Sequence, residues 1–492
     1  MNTDDIVPAA AFPRLDRQGW LWGLSKPQLI VVGVAVAGLM VATFAGGTAI
    51  LATLTLWTAP IATLGIVQID HRPALIALME AIVSKLRRML GATDYVVRPE
   101  QPVTMGELNI PGAVGARIDV IEVPYASGAA VLFDKHTRWA SIAIRCESST
   151  FDLAAADDKA GRTWGYARLA SAVLAHEGVV RVAVMARTTP AAAEAATAYY
   201  TTTSTARGAG AMVSPWAHDQ VMARLTSSSA RDVERDVIVV VSVDTNKVRP
   251  LIKDAGKGNI GLGHVMAREV TALGPLLTEC GVRTQRWLTP REVAATIRLA
   301  YDPEAVSLLE RQAVQGSLTL DLADAGPVIL REHPDRLETD TAVHQSFWIR
   351  QWPRTLTKAG FLSNLICEGD YTRTLTQVFM PEPVTQTAKN IESKRLAIAS
   401  RREVDARLKR PTPFEVTAAE HDLAAQEEEL NEGFAGIKWT GYLSVSAPNT
   451  EALGVAVSAA TMSADGLDLR LLRGQQAAGF NAAALPLGWG LS

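Results

Sequence analysis

Two patterns of apolar and polar positions divide the chain. From Gln28 to Val67, 40 consecutive residues carry no Asp, Glu, Lys or Arg, and no other stretch comes close. As one helix such a run spans ~60 Å, twice a hydrocarbon core of ~30 Å, whereas two helices of ~20 residues each fit it. Gly46-Gly47 supplies the reversal, because adjacent glycines weaken a helix and reach the angles of a tight turn. The pattern predicts a transmembrane hairpin, Gln28–Ala45 and Thr48–Val67, with Pro60 kinking the second helix. Arg14, Arg17 and Lys26 precede it, Arg72, Lys85, Arg87 and Arg88 follow it, and the turn is uncharged, so both ends are expected in the cytosol. A buried soluble hairpin is the alternative. A signal peptide fits poorly, since 27 residues with scattered charges come first.

Pro73–Leu90 then places Leu75, Ile76, Leu78, Met79, Ile82, Val83 and Leu86 at helical spacing and ends on Lys85, Arg87 and Arg88. Two placements are open for this helix: on anionic headgroups, or packed on the folded part of the chain. With the turn-rich linker Pro99–Pro111 it fills the stretch 68–104 and leads into the rest.

The remaining chain alternates apolar strand-like runs with helical ones. Runs at Ala116–Pro124, Ala129–Asp134 and Trp139–Glu147 read as strands, followed by a helix Ala155–His176 and a strand Val179–Ala186. A helical stretch Pro190–Tyr200, a helix Pro215–Thr226, the strand Asp236–Asp244, the helix Ile260–Cys280 and the strand Val282–Leu288 follow. The second half repeats the order: strand Gln345–Trp352, helix Lys358–Cys367, strand Thr372–Met380, a charged helical insertion Val384–Glu432, strand Ile437–Ser446, helix Thr450–Ser463, strand Leu467–Leu472. In both, the second strand runs into a proline before the insertion, Pro190 and Pro383.

The expected fold is therefore α+β, with an N-terminal transmembrane hairpin and two ferredoxin-like βαββαβ modules carrying helical insertions. The expected organisation is a cytosolic segment 1–27, the hairpin 28–67, a first module with leading strands at 105–288, a bridge at 289–343, and a second module at 344–492 with an arm at 384–432. A single large α+β sheet is the alternative. Within the arm, Lys394, Arg395, Arg401, Arg402, Arg407, Lys409 and Arg410 precede Glu415, Glu420, Asp422 and Glu427–Glu429, so a basic helix is expected to pair antiparallel with an acidic one.

Composition narrows the function. The chain of 492 residues is 48% apolar and 20% charged with net charge −3, which excludes a disordered chain and a polycationic nucleic-acid binder. Cys146, Cys280 and Cys367 lie far apart, without metal spacing or a disulfide framework. The histidines at 71, 136, 176, 218, 264, 333, 344 and 421 are solitary in sequence. The only Gly-Lys pair, Gly256-Lys257, has Leu251 where a P-loop needs its first glycine. Asp244, at a strand end, reads as a turn or capping residue. The glycine-rich Gly256–Gly263 precedes a helix and is the one hint of an anion site. No catalytic, cofactor-binding or metal residue is expected.

The segments "GWLWGLSKPQL" (Gly19–Leu29), "IPGAVGARIDVIEVPY" (Ile110–Tyr125), "VLFDKHTRWASIAIR" (Val131–Arg145), "LAYDPEA" (Leu299–Ala305), "WIRQWPRT" (Trp348–Thr355), "GYLSVSAPNTEAL" (Gly441–Leu453) and "LRLLRGQQAAGFNAAALPLG" (Leu469–Gly488) carry a resemblance. The first resembles PrgI-like membrane subunits of type IV secretion systems. The others resemble an actinobacterial conjugative-transfer family in which such a hairpin is fused to a domain similar to the N-terminal, non-ATPase part of TrbE/CagE-type secretion ATPases. The resemblance implies a non-enzymatic inner-membrane component, with two spans and both termini cytosolic, that docks a separately encoded ATPase and other membrane subunits. In those ATPases a similar LPLG segment leads into the motor. Phe480, Leu485, Pro486 and Leu487 are accordingly expected to form an apolar docking tail, with packing on the second module as the alternative. Homo-oligomers fit the same reading. Two further functions stay open: a type VII secretion membrane subunit of the EccE kind, and a membrane-tethered enzyme using nucleotides or lipids.

Overall fold

Strands in which nearly every position is apolar or small need cover on both faces, and the runs Ala129–Asp134 and Asp236–Asp244 read from the sequence lie in strands of that kind. The computed structural model describes residues 67–489 apart from 70–71, 98–104, 124–127, 149–153, 177, 191–196, 198, 204–213, 230–232, 315–319, 354–356, 368, 408, 410, 412–413 and 432–435; before them it describes 9–10, 30, 33–38 and 40. The expected hairpin at 28–67 thus lies almost wholly outside the described residues, among which no helix is long and apolar enough to cross a membrane. The chain divides into two units, one of Met1–Phe12, Asp94–Val384 and Gly433–Ser492, the other of Pro13–Thr93 and Thr385–Glu432.

The first unit holds one 13-stranded antiparallel sheet. In chain order its strands are β1 (Asp94–Val96), β2 (Ile118–Val123), β3 (Ala129–Asp134), β4 (Trp139–Ser148), β5 (Val179–Pro190), β6 (Val233–Asp244) and β7 (Val282–Trp287). After them come β8 (Ile329–Glu332), β9 (Leu337–Glu338), β10 (Val343–Gln351), β11 (Thr372–Glu382), β12 (Gly436–Ala447) and β13 (Asp468–Leu471). They lie in the order β1-β8-β9-β10-β12-β11-β5-β6-β4-β3-β2, with β7 paired to β4 and β13 to β10. Two groups of four strands therefore share one arrangement. In β4 to β7 the fourth strand pairs the first, the first pairs the third and the third pairs the second, and β10, β11, β12 and β13 do the same.

The two second strands, β5 and β11, pair with each other from Val182↔Phe379 to Thr188↔Arg373. The boundary expected at 289–343 does not separate two bodies, because both halves belong to one sheet. The expected bridge 289–343 supplies β8 and β9.

Among the helices are α1 (Ala74–Met89), α2 (Ala156–Ala175), α3 (Pro215–Ser229), α4 (Gly258–Glu279), α5 (Pro290–Tyr301), α6 (Ser363–Cys367), α7 (Val384–Arg407), α8 (Phe414–Asn431), α9 (Thr450–Ser463) and α10 (Gln476–Ala484). Because strand side chains alternate in direction, Val239, Val241 and Val243 of β6 pack with Leu262, Val265 and Met266 of α4, while Ile238 and Val240 join Val293 and Ile297 of α5 on the opposite face. In the second half Leu443 and Val445 pack with Leu453 and Ala456 of α9. Helix α5 begins at a capping box in which the Thr289 side chain accepts from the Glu292 amide and Glu292 accepts from the Thr289 amide.

In the second unit α7 and α8 pair antiparallel, as their charge blocks predict. Arg395 reaches Glu427 at 3.3 Å and Arg402 reaches Glu420 at 2.6 Å. Exposed ion pairs stabilise little; Ile391, Ile398, Val416 and Leu423 form the apolar seam between the two helices.

Candidate functional site

The C-terminal segment, singled out as a docking tail, is interior. After β13 the chain turns and α10 lies across the sheet. Its sequence QAAGFNAAA is mostly small residues, so its backbone approaches closely: a Cβ on Gly479 would stand 2.5 Å from Leu472 Cδ1 and 3.0 Å from Ser346 Cβ. Phe480, 0% exposed, packs its ring 5.0 Å from Tyr301 and 4.6 Å from His344. Leu485 and Leu487 join Met185, Ile238 and Val240 in one core, and Pro486 is buried with them. All four expected docking residues are thus covered by the sheet of their own chain. This is packing of the kind left open as the alternative to a docking tail, and it reaches the strands of the first half as well as the second.

Gly488 closes the segment at φ +66, where a Cβ would stand 2.8 Å from Ser242 Oγ and 2.9 Å from Val240 Cγ1, so both conformation and space require glycine there. Its carbonyl accepts from the buried Arg181 guanidinium at 3.1 Å, which also lies over the Trp139 ring, and Arg117 lies over the ring of Trp489.

Beneath α10 the sheet is polar. Strand β13 pairs β10 only from Phe347 onward, and the Gln476 side chain continues the ladder beyond it. Its Oε1 accepts from the Ser346 amide at 2.8 Å and its Nε2 donates to the Leu472 carbonyl at 2.8 Å. Thr376 donates to the Ala483 carbonyl at 2.6 Å, and the Ala477 amide, in the first turn of α10, donates to Glu332 at 3.1 Å. His344 is fully buried between two hydroxyls, Ser446 at 2.7 Å from Nδ1 and Thr339 at 2.8 Å from Nε2. Because Thr339 gives its proton to the Tyr301 carbonyl at 2.6 Å, it accepts from Nε2–H, which leaves Nδ1 to accept from Ser446. Burial pushes the His344 pKa down to about 3. The neutral ring is a strut, not a proton carrier, near neutral pH.

Other reactive types are equally committed to the fold. Burial pushes the thiol of Cys146 up to about 12 and that of Cys280 up to about 11, which keeps both protonated and weakly nucleophilic. Asp236 bridges Arg145 and Arg187 at 2.9 Å each, and Arg187 also donates to the Thr296 carbonyl at 3.0 Å. Arg298 joins Asp302 and Asp340. Asp244 takes the turn role expected of it, accepting from the Asn246 amide at 2.9 Å.

In the glycine-rich Gly256–Gly263, a Cβ on Gly261 would stand 2.0 Å from the Ile252 carbonyl oxygen, so that glycine serves a close packing of α4 on the short helix Arg249–Asp254. Among the described residues no group of three or more His, Cys, Asp and Glu is placed to hold a metal ion.

The polar layer escapes a reading by hydrophobic pattern, although a signal exists. Ser444 and Ser446 alternate with the apolar Leu443, Val445 and Ala447, opposite His344 and Ser346 on the neighbouring strand, which marks a polar stripe on a buried sheet. Taken together the described residues assemble a tied-down scaffold: a C-terminal strap latched to both halves of one sheet. No protein-family model matches the chain, and no curated protein matches its sequence.

Proposed function

We propose that the chain is a non-enzymatic inner-membrane component of a conjugation or type IV secretion-like machine, in which a transmembrane hairpin at 28–67 anchors a cytosolic platform that docks a separately encoded ATPase. The observation that carries this reading is the 40-residue uncharged run between basic flanks, joined in one chain to a large α+β body. A protein built this way works where membrane and cytosol meet. The order of the segments resembling the PrgI-like and TrbE/CagE-type families supports the rest, and the missing P-loop motif separates this chain from the motors themselves.

Each half of the platform is, in this reading, a ferredoxin-like module with a helical insertion between its second and third strands. Support comes from the βαββαβ order of elements and from the repeated pairing of fourth, first, third and second strands. Two such modules fused through their second strands make one broad platform. Docking then falls to exposed surface and not to Phe480, Leu485, Pro486 and Leu487, which hold the platform together.

The test is co-purification of the full chain, extracted in detergent from membranes, with a P-loop ATPase encoded beside it. Retention in the membrane pellet after alkaline carbonate and co-elution with that ATPase are expected. Release by carbonate would remove the anchor from the proposal, and elution without the ATPase would remove the docking role.

A further inference from the structure

Helix α1 leaves open an apolar face of the kind that α5 buries. At 100° per residue its Leu78, Met79, Ile82, Val83, Leu86 and Met89 fall within an arc of about 140°. In a water-soluble fold such a stripe is buried, as it is in α5, where Val293, Ala294 and Ile297 are fully covered. In α1 the same stripe is open: Ile82 is 56% exposed, Leu86 53% and Met89 77%. The charges frame the stripe. Lys85 lies at one edge of the arc and Arg87 beyond the other, with Ser84 and Arg88 on the far side, and the helix has basic residues in its last turn and none that are acidic in its first. Side chains at such edges lay their methylenes along an apolar surface and lift their charge to its rim.

The chain also fixes where this helix is. Six residues separate Val67, the end of the uncharged run, from Ala74, where α1 begins, and the seven steps of chain reach at most ~25 Å when fully extended. We propose that α1 lies flat in the cytosolic leaflet, its apolar stripe among the acyl chains and Lys85, Arg87 and Arg88 at anionic phosphate headgroups. The proposal rests on the membrane anchor proposed above. An apolar arc bordered by basic residues, with a single acidic residue, Glu80, on the helix, matches an anionic bilayer surface. It does not match an acidic protein groove, because the open stripe runs from Leu78 to Met89 and the cations only border it.

The experiment uses the full chain, with Cys280 and Cys367 replaced by alanine, reconstituted into phosphatidylcholine vesicles with and without phosphatidylglycerol. A spin label is placed at Ile82→Cys or Ser84→Cys, and its collisions with oxygen and with a water-soluble nickel chelate are compared. The label at Ile82→Cys is expected to favour oxygen over nickel by about tenfold more than the label at Ser84→Cys. That preference should fall when phosphatidylglycerol is omitted or when Lys85→Gln, Arg87→Gln and Arg88→Gln are combined. Equal access of nickel to both positions puts the helix in water and overturns the proposal. Shielding of Ile82→Cys from both reagents means a protein surface covers it, the body of this chain or a second copy, and also overturns it. A preference indifferent to lipid charge and to the three substitutions overturns the headgroup contact. Carbonate extraction of the same samples separates the two readings: a chain that resists carbonate while failing the label test loses only this proposal, and a chain washed off loses the anchor and the proposal together.

Discussion

The two halves of the sheet share a strand order but fill their common face differently. In the first half Ala183, Met185, Ile238 and Val240 are apolar, Ser141 and Ser242 satisfy each other across neighbouring strands at 2.8 Å, and the buried Arg181 donates to the Gly488 carbonyl. In the second half His344, Thr376 and Ser446 turn to the same face: His344 bonds Thr339 and Ser446, Thr376 donates to the Ala483 carbonyl, and the Ser346 amide beside them donates to Gln476. An aliphatic face accepts any cover of about the right volume. A polar one specifies its cover atom by atom, because a buried donor or acceptor left unmade costs about 1–3 kcal/mol. The difference shows in how the C-terminal segment is held: apolar contact dominates over the first half, with Arg181 fixing Gly488, and hydrogen bonds place α10 over the second.

Three changes test that contrast, beginning with the largest effect. Phe480→Ala empties a site between Tyr301 and His344 and is expected to cost about 3–5 kcal/mol, read as a lower thermal unfolding midpoint of the purified full chain. A midpoint within a degree of the parent would show that α10 is not part of the core.

Acidification should weaken the polar half next. His344 takes a proton near pH 3 in the folded chain but near 6.5 when unfolded. As pH falls through 6.5 the unfolded chain gains a proton that the folded chain refuses, so stability drops by up to about 1.4 kcal/mol per pH unit down to about pH 3. His344→Gln, stable or not at pH 7, should lose less between pH 6.5 and 4.5 than the parent does. Parallel curves would contradict the buried neutral ring.

The smallest effects separate the halves directly. Gln476→Leu strips the Ser346 amide of its partner and should cost about 1–3 kcal/mol, whereas Ser141→Ala with Ser242→Ala removes both ends of a bond and should stay within about 0.5 kcal/mol. Equal costs would erase the distinction between the halves.

Much of this architecture is legible in the residues. The strand Asp236–Asp244 and the run Gly441–Ser446 announce themselves because a strand buried on both faces must be apolar or small throughout, and the basic and acidic blocks of the arm foretell the pairing of α7 with α8. The junction of β5 with β11 is not announced. Free sheet edges are commonly guarded by exposed charge or proline, and here Arg187 and Arg373 imitate such guards while being buried, one held by Asp236 and the other by the carbonyls of Ile366, Gly369 and Tyr371. The pattern of charges cannot tell a guarded edge from a joined one. Nor does an apolar tail announce its cover: Leu485 and Leu487 read as exposed until the strands they rest on, some 250 to 300 residues earlier, are seen beneath them.

That separation sets an order of events during synthesis. Met185 and Val240 are made early, and the leucines that cover them about 250 to 300 residues later, so the aliphatic face stays open while the ribosome adds the second half of the sheet. Through that interval the nascent chain presents sticky surface and an unpaired β5 edge, the kind of intermediate that aggregates or engages chaperones. A chain cut short before Gln476 would never close this face, and proteolysis would have a ready means of telling finished copies from unfinished ones.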